Sequence, residues 1–482
     1  MAGVFTSAVA GLAVTLAALA PVAPSPAWAQ DALPNTVKEE PKAEAAAEPA
    51  KTQDPAPPAW PVSGIFTVSD TKDVGKLLKL APLEGLKIRG WVDAYYMYNN
   101  NTPHRSAVDA AQGDSIIKGR NVSIEGRVFD IHHNSFSLSL AEIELELVPS
   151  AGEVGFKLDL AWGEENDIYN DSIRAALDVT GSGDSISDFD KTFHHASVSY
   201  VAPIGNGLRF DLGKFVTHIG GETFESVKNW NYSHAYFYTY AIPFQDTGLK
   251  MSYPLTADGK IYAEFYAVNG WNVTVDNNTQ KTIGPTLGIV NPDWAPWLQV
   301  YANFLIGDEV AVNTKSGTRT LFDAQVILGP FLDGKLMLMA NVDVGSQEDA
   351  FTGAAGTPED ADWTGFAFYA RYKLTKDLLT KGDELEPSVR FELYNDSDGW
   401  TTNTKIDPAT GNYSPAAPLE ENRFTSFTLN LNYRIGINKW STLLIRPEIR
   451  IDTADENFFT DNRLYRDEDT QVTYGVGVAW IF

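Results

Sequence analysis

The chain has no cysteine, so neither a disulfide framework nor a thiolate nucleophile or metal ligand can underlie it. Basic residues are scarce, 37 Lys and Arg against 63 Asp and Glu, for a net charge of −26. Nucleic acid is held by basic patches, and this balance excludes it as a partner. No Gly-rich phosphate cradle, nucleophile elbow or zinc motif occurs, so no cofactor, metal or catalytic residue is expected. Carboxylates are so plentiful that no glycosidase-like pair stands out among them. Downstream of residue 30 the sequence lacks any apolar run of the roughly 18 residues that a membrane helix needs. A mean hydropathy of −0.20 would ordinarily suit a soluble protein. Membrane-crossing strands escape that test, because every second side chain faces away from lipid.

Charge is missing altogether from residues 1–29. An Ala-rich apolar run from Ala8 to Val22 leads to Ala27-Trp28-Ala29 before Gln30, the form of a cleavable export signal. Residues 30–82 follow as a Pro-, Ala- and Glu-rich spacer with few large apolar groups, expected to be disordered in the periplasm. Within it, Thr71 to Leu80 has the spacing of a short amphipathic helix. The remainder, 83–482, forms one domain.

That domain alternates. In the last stretch Val472, Tyr474, Val476, Val478, Trp480 and Phe482 share one face, while Gln471, Thr473, Gly475, Gly477 and Ala479 lie on the other. From Leu86 onward the same unit recurs, and about sixteen strands can be counted, an even number within the range of single-chain barrels. In the strand Asn134–Val148 the pattern slips phase after Leu140, which predicts a bulge near Ala141. The gaps between strands alternate as well: 100–133, 164–191, 217–245, 269–281, 307–319, 346–362, 396–423 and 453–469 are long, and those between them short. A β-sandwich has no reason to keep such sidedness, whereas a transmembrane antiparallel barrel has short periplasmic turns and long outer loops. The expected fold is therefore an all-β outer-membrane barrel.

Charge placement predicts its interior. Arg446, Glu448, Arg450 and Asp452 share one face opposite Ile445, Ile449 and Ile451; Arg390 and Glu392 oppose Val389, Phe391 and Leu393; Arg371 opposes Tyr372 and Ala370. A base facing lipid at mid-bilayer costs roughly 2–4 kcal/mol, so these seven charged groups should point inward and are the pore-lining candidates. They would either form a ladder that biases ion passage or pair with one another and brace the wall. Segment 217–245 is too aromatic for a solvated loop, and is expected to fold into the lumen and narrow it. Its candidate constriction residues are Glu222, Glu225, Lys228, Trp230 and Tyr236, with Glu222 and Glu225 set against basic wall residues. His132-His133 and His194-His195 are adjacent pairs, whose rings should point to opposite faces and cannot chelate together.

Several stretches resemble the OmpL-like β-barrel porins of Gram-negative bacteria. They are Leu208-Arg209-Phe210-Asp211-Leu212-Gly213-Lys214-Phe215 with Gly220-Gly221-Glu222, Tyr240-Ala241-Ile242-Pro243-Phe244 with Thr247-Gly248-Leu249, and Asn269-Gly270-Trp271. Asp396-Ser397-Asp398-Gly399 and Arg446-Pro447-Glu448-Ile449-Arg450-Ile451-Asp452 complete the likeness, which spans about 84–482. The resemblance implies an outer-membrane porin passing small hydrophilic solutes or ions, but supplies no set of substrate-binding residues. Lipid and lipopolysaccharide would be its surroundings, and a homotrimer its assembly, although no interface is legible. Two rival expectations are a plugged, structural barrel with 30–82 as plug or tether, and a secreted β-rich enzyme acting on polysaccharide.

Overall fold

The computed structural model describes residues 72–73, 85–102, 124, 126–167, 192–276, 278–310, 316–352, 357–402, 404–406, 413–415, 421–438, 440–455, 458–461 and 466–482. The proposed signal and nearly all of the spacer lie outside them. Sixteen long strands run β1 (Lys87–Asn99), β2 (Ser135–Leu147), β3 (Val154–Trp162), β4 (Phe193–Ala202), β5 (Leu208–Val216), and β6 (Gln245–Pro254). They continue as β7 (Ile261–Val268), β8 (Thr282–Val290), β9 (Leu298–Val310), β10 (Ser316–Phe331) and β11 (Leu336–Thr352). The last five are β12 (Pro358–Tyr372), β13 (Glu384–Asp396), β14 (Asn422–Asn438), β15 (Ser441–Ala454) and β16 (Thr470–Ile481). Each pairs antiparallel with the next, and β16 pairs with β1 through Val92↔Trp480 and Tyr96↔Val476, so the sheet closes on itself. Gly90 and Phe482 exchange both backbone hydrogen bonds at 2.9 Å and seal the seam. Closure leaves no unpaired edge, the condition for strands to cross a bilayer.

The two faces are those of an inside-out protein. Along β15 the buried residues are Arg446, Glu448, Arg450 and Asp452, and the exposed ones are Pro447, Ile449 and Ile451. Along β13 Arg390 and Glu392 are buried while Phe391 and Leu393 are exposed. A water-soluble sheet would reverse this order. The outer surface carries Phe136, Trp162, Tyr474, Trp480 and Phe482, the apolar and aromatic covering that lipid and its interfaces favour.

The β2 bulge forms within two residues of its expected place, and two features differ from expectation. The bulge in β2 lies at Ser139, skipped between Asp93↔Leu140 and Ala94↔Leu138, two residues before Ala141. Alternation of long and short connections does not hold all round: β9 and β10 are joined by 311–315 and β11 and β12 by 353–357. Those strands continue past the apolar belt as polar ladders such as Asp308↔Thr318 and Gln347↔Ala361, where no apolar face marks them as strand. Finally, Lys72–Asp73 pair with Ile88 and Lys87 as a two-residue strand rather than as part of a helix; the other residues of that expected helix are outside the described set.

One turn at the short-connection end, 373–383, is longer than its neighbours and has its own brace. The Asp383 carboxylate accepts N–H bonds from Leu378 (2.6 Å), Leu379 (2.8 Å) and Thr380 (2.8 Å), and the Tyr433 hydroxyl donates to it from β14. Burial works to raise this carboxyl, but the Tyr433 hydroxyl and the three amides outweigh it and hold it below the ordinary range. The brace is then complete above the unfolded value of 3.8 and weakens as pH falls through the depressed folded value. Amide exchange at Leu378, Leu379 and Thr380 should be faster in Asp383→Ala than in the parent at neutral pH, with the difference shrinking in acid. Equal exchange at neutral pH would contradict the brace.

Candidate functional site

Segment 217–244, between β5 and β6, bonds to inward side chains from strands on opposite parts of the wall. Ser226 Oγ donates to Asp93 on β1, the Gly221 N–H donates to Asn341 Oδ1 on β11 at 2.5 Å, and Ser388 Oγ on β13 donates to the Trp230 carbonyl at 2.6 Å. The loop therefore lies against the inner wall. Its apolar side chains, among them Phe224, Trp230, Tyr236, Phe237 and Tyr238, are buried in one cluster with Phe129 from the first long connection and Trp363 of β12. That burial is what holds so aromatic a loop inward.

Besides a single 3-10 turn at Ser226–Lys228, the loop contains one short α-helix, α1 (Tyr236–Ala241), and its own sequence does not explain that helix: the preceding Ala235 offers no side-chain cap. The missing partners come from elsewhere. Glu392 accepts the Tyr236 N–H at 2.6 Å and Glu222 accepts the Ala235 N–H at 2.8 Å, so two carboxylates sit at the helix N-terminus. Trp363 Nε1 donates to the Ala241 carbonyl at 3.0 Å at the other end. Helix ends leave such groups unsatisfied, and negative charge at the N-terminus is favoured.

The charged wall residues act as fasteners for this loop. Arg390 reaches Glu222 (2.8 Å), the Ser233 carbonyl (2.5 Å) and Glu392 (3.3 Å). Arg450 bonds to the His234 carbonyl (2.5 Å), pairs with Asp452 (2.6 Å) and Glu392 (3.3 Å), and lies 4.6 Å over the Tyr236 ring. Arg446 donates to the Asn229 carbonyl (2.8 Å) and the Ser226 carbonyl, while Glu448 accepts the N–H groups of Tyr232 (2.7 Å) and Ser233 (3.2 Å). All six of Arg390, Glu392, Arg446, Glu448, Arg450 and Asp452 are buried. The sequence places them inward, and the structure covers them with the loop. Arg371 is different: it is partly accessible, 4.8 Å over the Trp230 ring and 4.0 Å from Glu386.

Of the five loop residues singled out, Glu222 meets Arg390 as expected. Glu225 does not meet a wall arginine: its nearest base is Lys228 of the same loop at 2.7 Å, which also holds Glu144 of β2 at 2.7 Å. Sequence reading missed the first long connection entirely. Arg127 pairs with Asp452 at 3.1 Å and donates to Thr473 at 2.6 Å, and the Phe129 ring lies 4.3 Å from that of His234, tilted by 41°. The run Arg127-Val128-Phe129-Asp130-Ile131, apolar and charged together, is the one signal that could have marked it.

The histidines on β4 also depart from expectation. The register slips between Asp159 and Leu160, so His194 is an extra residue, and both His194 and His195 are buried. A bulge removes the strict alternation that separated them. His194 Nδ1 lies 3.4 Å from Glu142, and donor atoms of Glu142, Asp159 and His194 are within 4.8 Å of one another. Ammonium groups stand beside this cluster, Lys157 at 3.1 Å from Asp159 and Lys228 at 2.7 Å from the neighbouring Glu144.

Small wall residues make room for the loop. A Cβ on Gly477 of β16 would fall 2.2 Å from the Tyr232 ring, and one on Gly365 of β12 would fall 2.5 Å from Phe237. Gly477→Leu should displace Tyr232 and lower unfolding stability by roughly 1–3 kcal/mol in denaturant titration. An unchanged midpoint would mean that the ring is not seated there.

Among solved structures the fold is similar to OmpT of Vibrio cholerae in its trimer form, at 10% identity and a TM-score of 0.46, over 82% of this chain and 99% of that one. It is similar to an anion-selective porin from Comamonas acidovorans at 12% identity and a TM-score of 0.44, covering 82% and 99%. OmpF of Salmonella typhi, in complex with daunomycin, aligns at 10% identity and a TM-score of 0.43, covering 82% and 97%. Likeness at this level says nothing about solute or assembly. No curated protein matches the sequence. The family described as "Putative beta-barrel porin-2, OmpL-like" matches residues 85–482, and the chain belongs to that family of outer-membrane porins.

Proposed function

We propose that the barrel is a passive channel for small hydrophilic solutes and ions, and that loop 217–244 sets its bore. A sixteen-stranded barrel is otherwise wide enough for an aqueous channel. The observation that carries the reading is the fastening of the loop: Arg390, Arg446, Glu448 and Arg450 grip its backbone carbonyl and N–H groups from inside the wall. A loop held by its backbone keeps one position, and a fixed obstruction gives a fixed size limit. In this reading the buried Glu222, Glu225, Trp230 and Tyr236 anchor the constriction, while Lys228 and Arg371 border the passage it leaves. Solute moves down its gradient, with no covalent step and no cofactor. The outer face meets lipid and lipopolysaccharide, and the assembly is a homotrimer.

Swelling of proteoliposomes in sugars of increasing size tests the reading. Uptake should fall steeply with size, and shortening the loop should admit larger sugars. One observation favours a second reading, a barrel filled by its own loops with a structural role: the charged side chains of β13 and β15 under the loop are closed to solvent. No swelling with the smallest sugar would decide for that reading.

A further inference from the structure

Resting on the channel reading above, we propose that the short-turn end of the lumen is an anion-collecting vestibule, selecting small inorganic and carboxylate anions. The ion pairs of the inner wall fall into two groups. Those beneath the loop, such as Arg450–Asp452, are closed to solvent on both partners. Several of those nearer the short turns are more open on the basic side than on the acidic side. Arg89 of β1 has 19% of its side chain accessible against 2% for Glu144, and Lys157 of β3 19% against 1% for Asp159. Lys250 of β6 has 24% against 4% for Asp211, and Arg434 of β14 22% against 11% for Glu386.

Their positions agree. Arg89 follows closely on the start of β1, Lys157 on the start of β3, and Lys250 and Arg434 precede the ends of β6 and β14; all four strand ends lie at the short-turn end of the barrel. Lys228 joins them from the loop, 4.7 Å over the Trp91 ring of β1. Within the wall the accessible acids are slightly less open than their bases, Glu384 at 25% beside Lys373 at 31% and Glu146 at 17% beside Arg89 at 19%; out in the turns acids exceed their base, Asp258 at 48% and Asp293 at 88% against Lys260 at 35%. Water in the lumen at this end therefore meets more of the ammonium and guanidinium groups than of the carboxylates paired with them.

A narrow aqueous cavity with low-dielectric walls focuses the field of its lining charges, and a ring of bases favours anions. The net charge of −26 points the other way. Permeant ions are sorted by the groups they touch, and here those are basic.

The test is the zero-current potential of the full-length, detergent-purified protein in a planar bilayer under a KCl gradient. Its sign should be that of a pore passing chloride better than potassium. Lys157→Gln with Lys250→Gln, checked for heat-modifiable folding, should lower the chloride preference on the order of tenfold at low salt. A potassium-selective parent would overturn the inference and leave the channel standing; a correctly folded barrel that passes no current would overturn both. The parent measurement decides even if the double variant fails to fold.

Discussion

Replacing Arg390 and Arg450 together by methionine is expected to release loop 217–244 from the wall while the barrel stays closed. Each guanidinium is buried, and together they serve the Glu222, Glu392 and Asp452 carboxylates and the Ser233 and His234 carbonyls. Removing one partner of a buried ion pair typically costs roughly 3–5 kcal/mol, because the other charge is left unpaired. The two arginines share Glu392, so their effects will not simply add. The strand ladder depends on backbone bonds that these side chains do not make. The cheaper response is for the loop to lift and let water reach the carboxylates. Chymotrypsin should then cut among Tyr236, Phe237, Tyr238 and Tyr240, which the parent buries or half-buries. Lysine at both positions should restore little of the docking, since a point charge cannot bridge a carboxylate and a carbonyl as the planar fork does. A variant as protease-resistant as the parent would show that the loop is held by its aromatic packing alone.

Placing a charge on the opposite face should hurt the barrel itself. Ile449 lies between Leu429 of β14 and Tyr474 of β16 in the register, and all three are exposed on the outer surface. Ile449→Arg would put a guanidinium into lipid near mid-strand and should cost roughly 2–4 kcal/mol of folding stability in lipid vesicles. Arginine at Thr425 or Thr453, two outward-facing pairs nearer the strand ends and the interface, should cost less. A harmless Ile449→Arg would mean that this face does not meet lipid.

The barrel was legible because its signal is local. Lys157 and Asp159 alternate with Phe156, Leu158 and Leu160, and no partner strand is needed to see that one face is wet and one is not. The polar extensions beyond the belt, such as Gly307 to Val310, were not legible, since both faces there are small or polar. The interior was legible only in direction. Arg390, Arg446 and Arg450 could be turned inward from sequence, but what they hold is set by pairings across more than a hundred residues. Arg446 meets the Ser226 carbonyl, and Arg127 meets Asp452. Helix α1 shows the same limit: its caps, Glu392 and Trp363, belong to β13 and β12, so its own sequence contains no start or stop signal. The histidines illustrate how one bulge can undo a face assignment, because His194 and His195 both turn inward once the register slips.

Single-channel conductance of the parent beside the Arg390→Met, Arg450→Met variant, in a planar bilayer at symmetrical salt, tests most directly whether loop 217–244 narrows an open barrel. Stepwise openings are expected from the parent and larger steps from the variant. Equal steps from both would show that the loop does not set the bore, and silence from two correctly folded barrels would show that there is no channel to narrow.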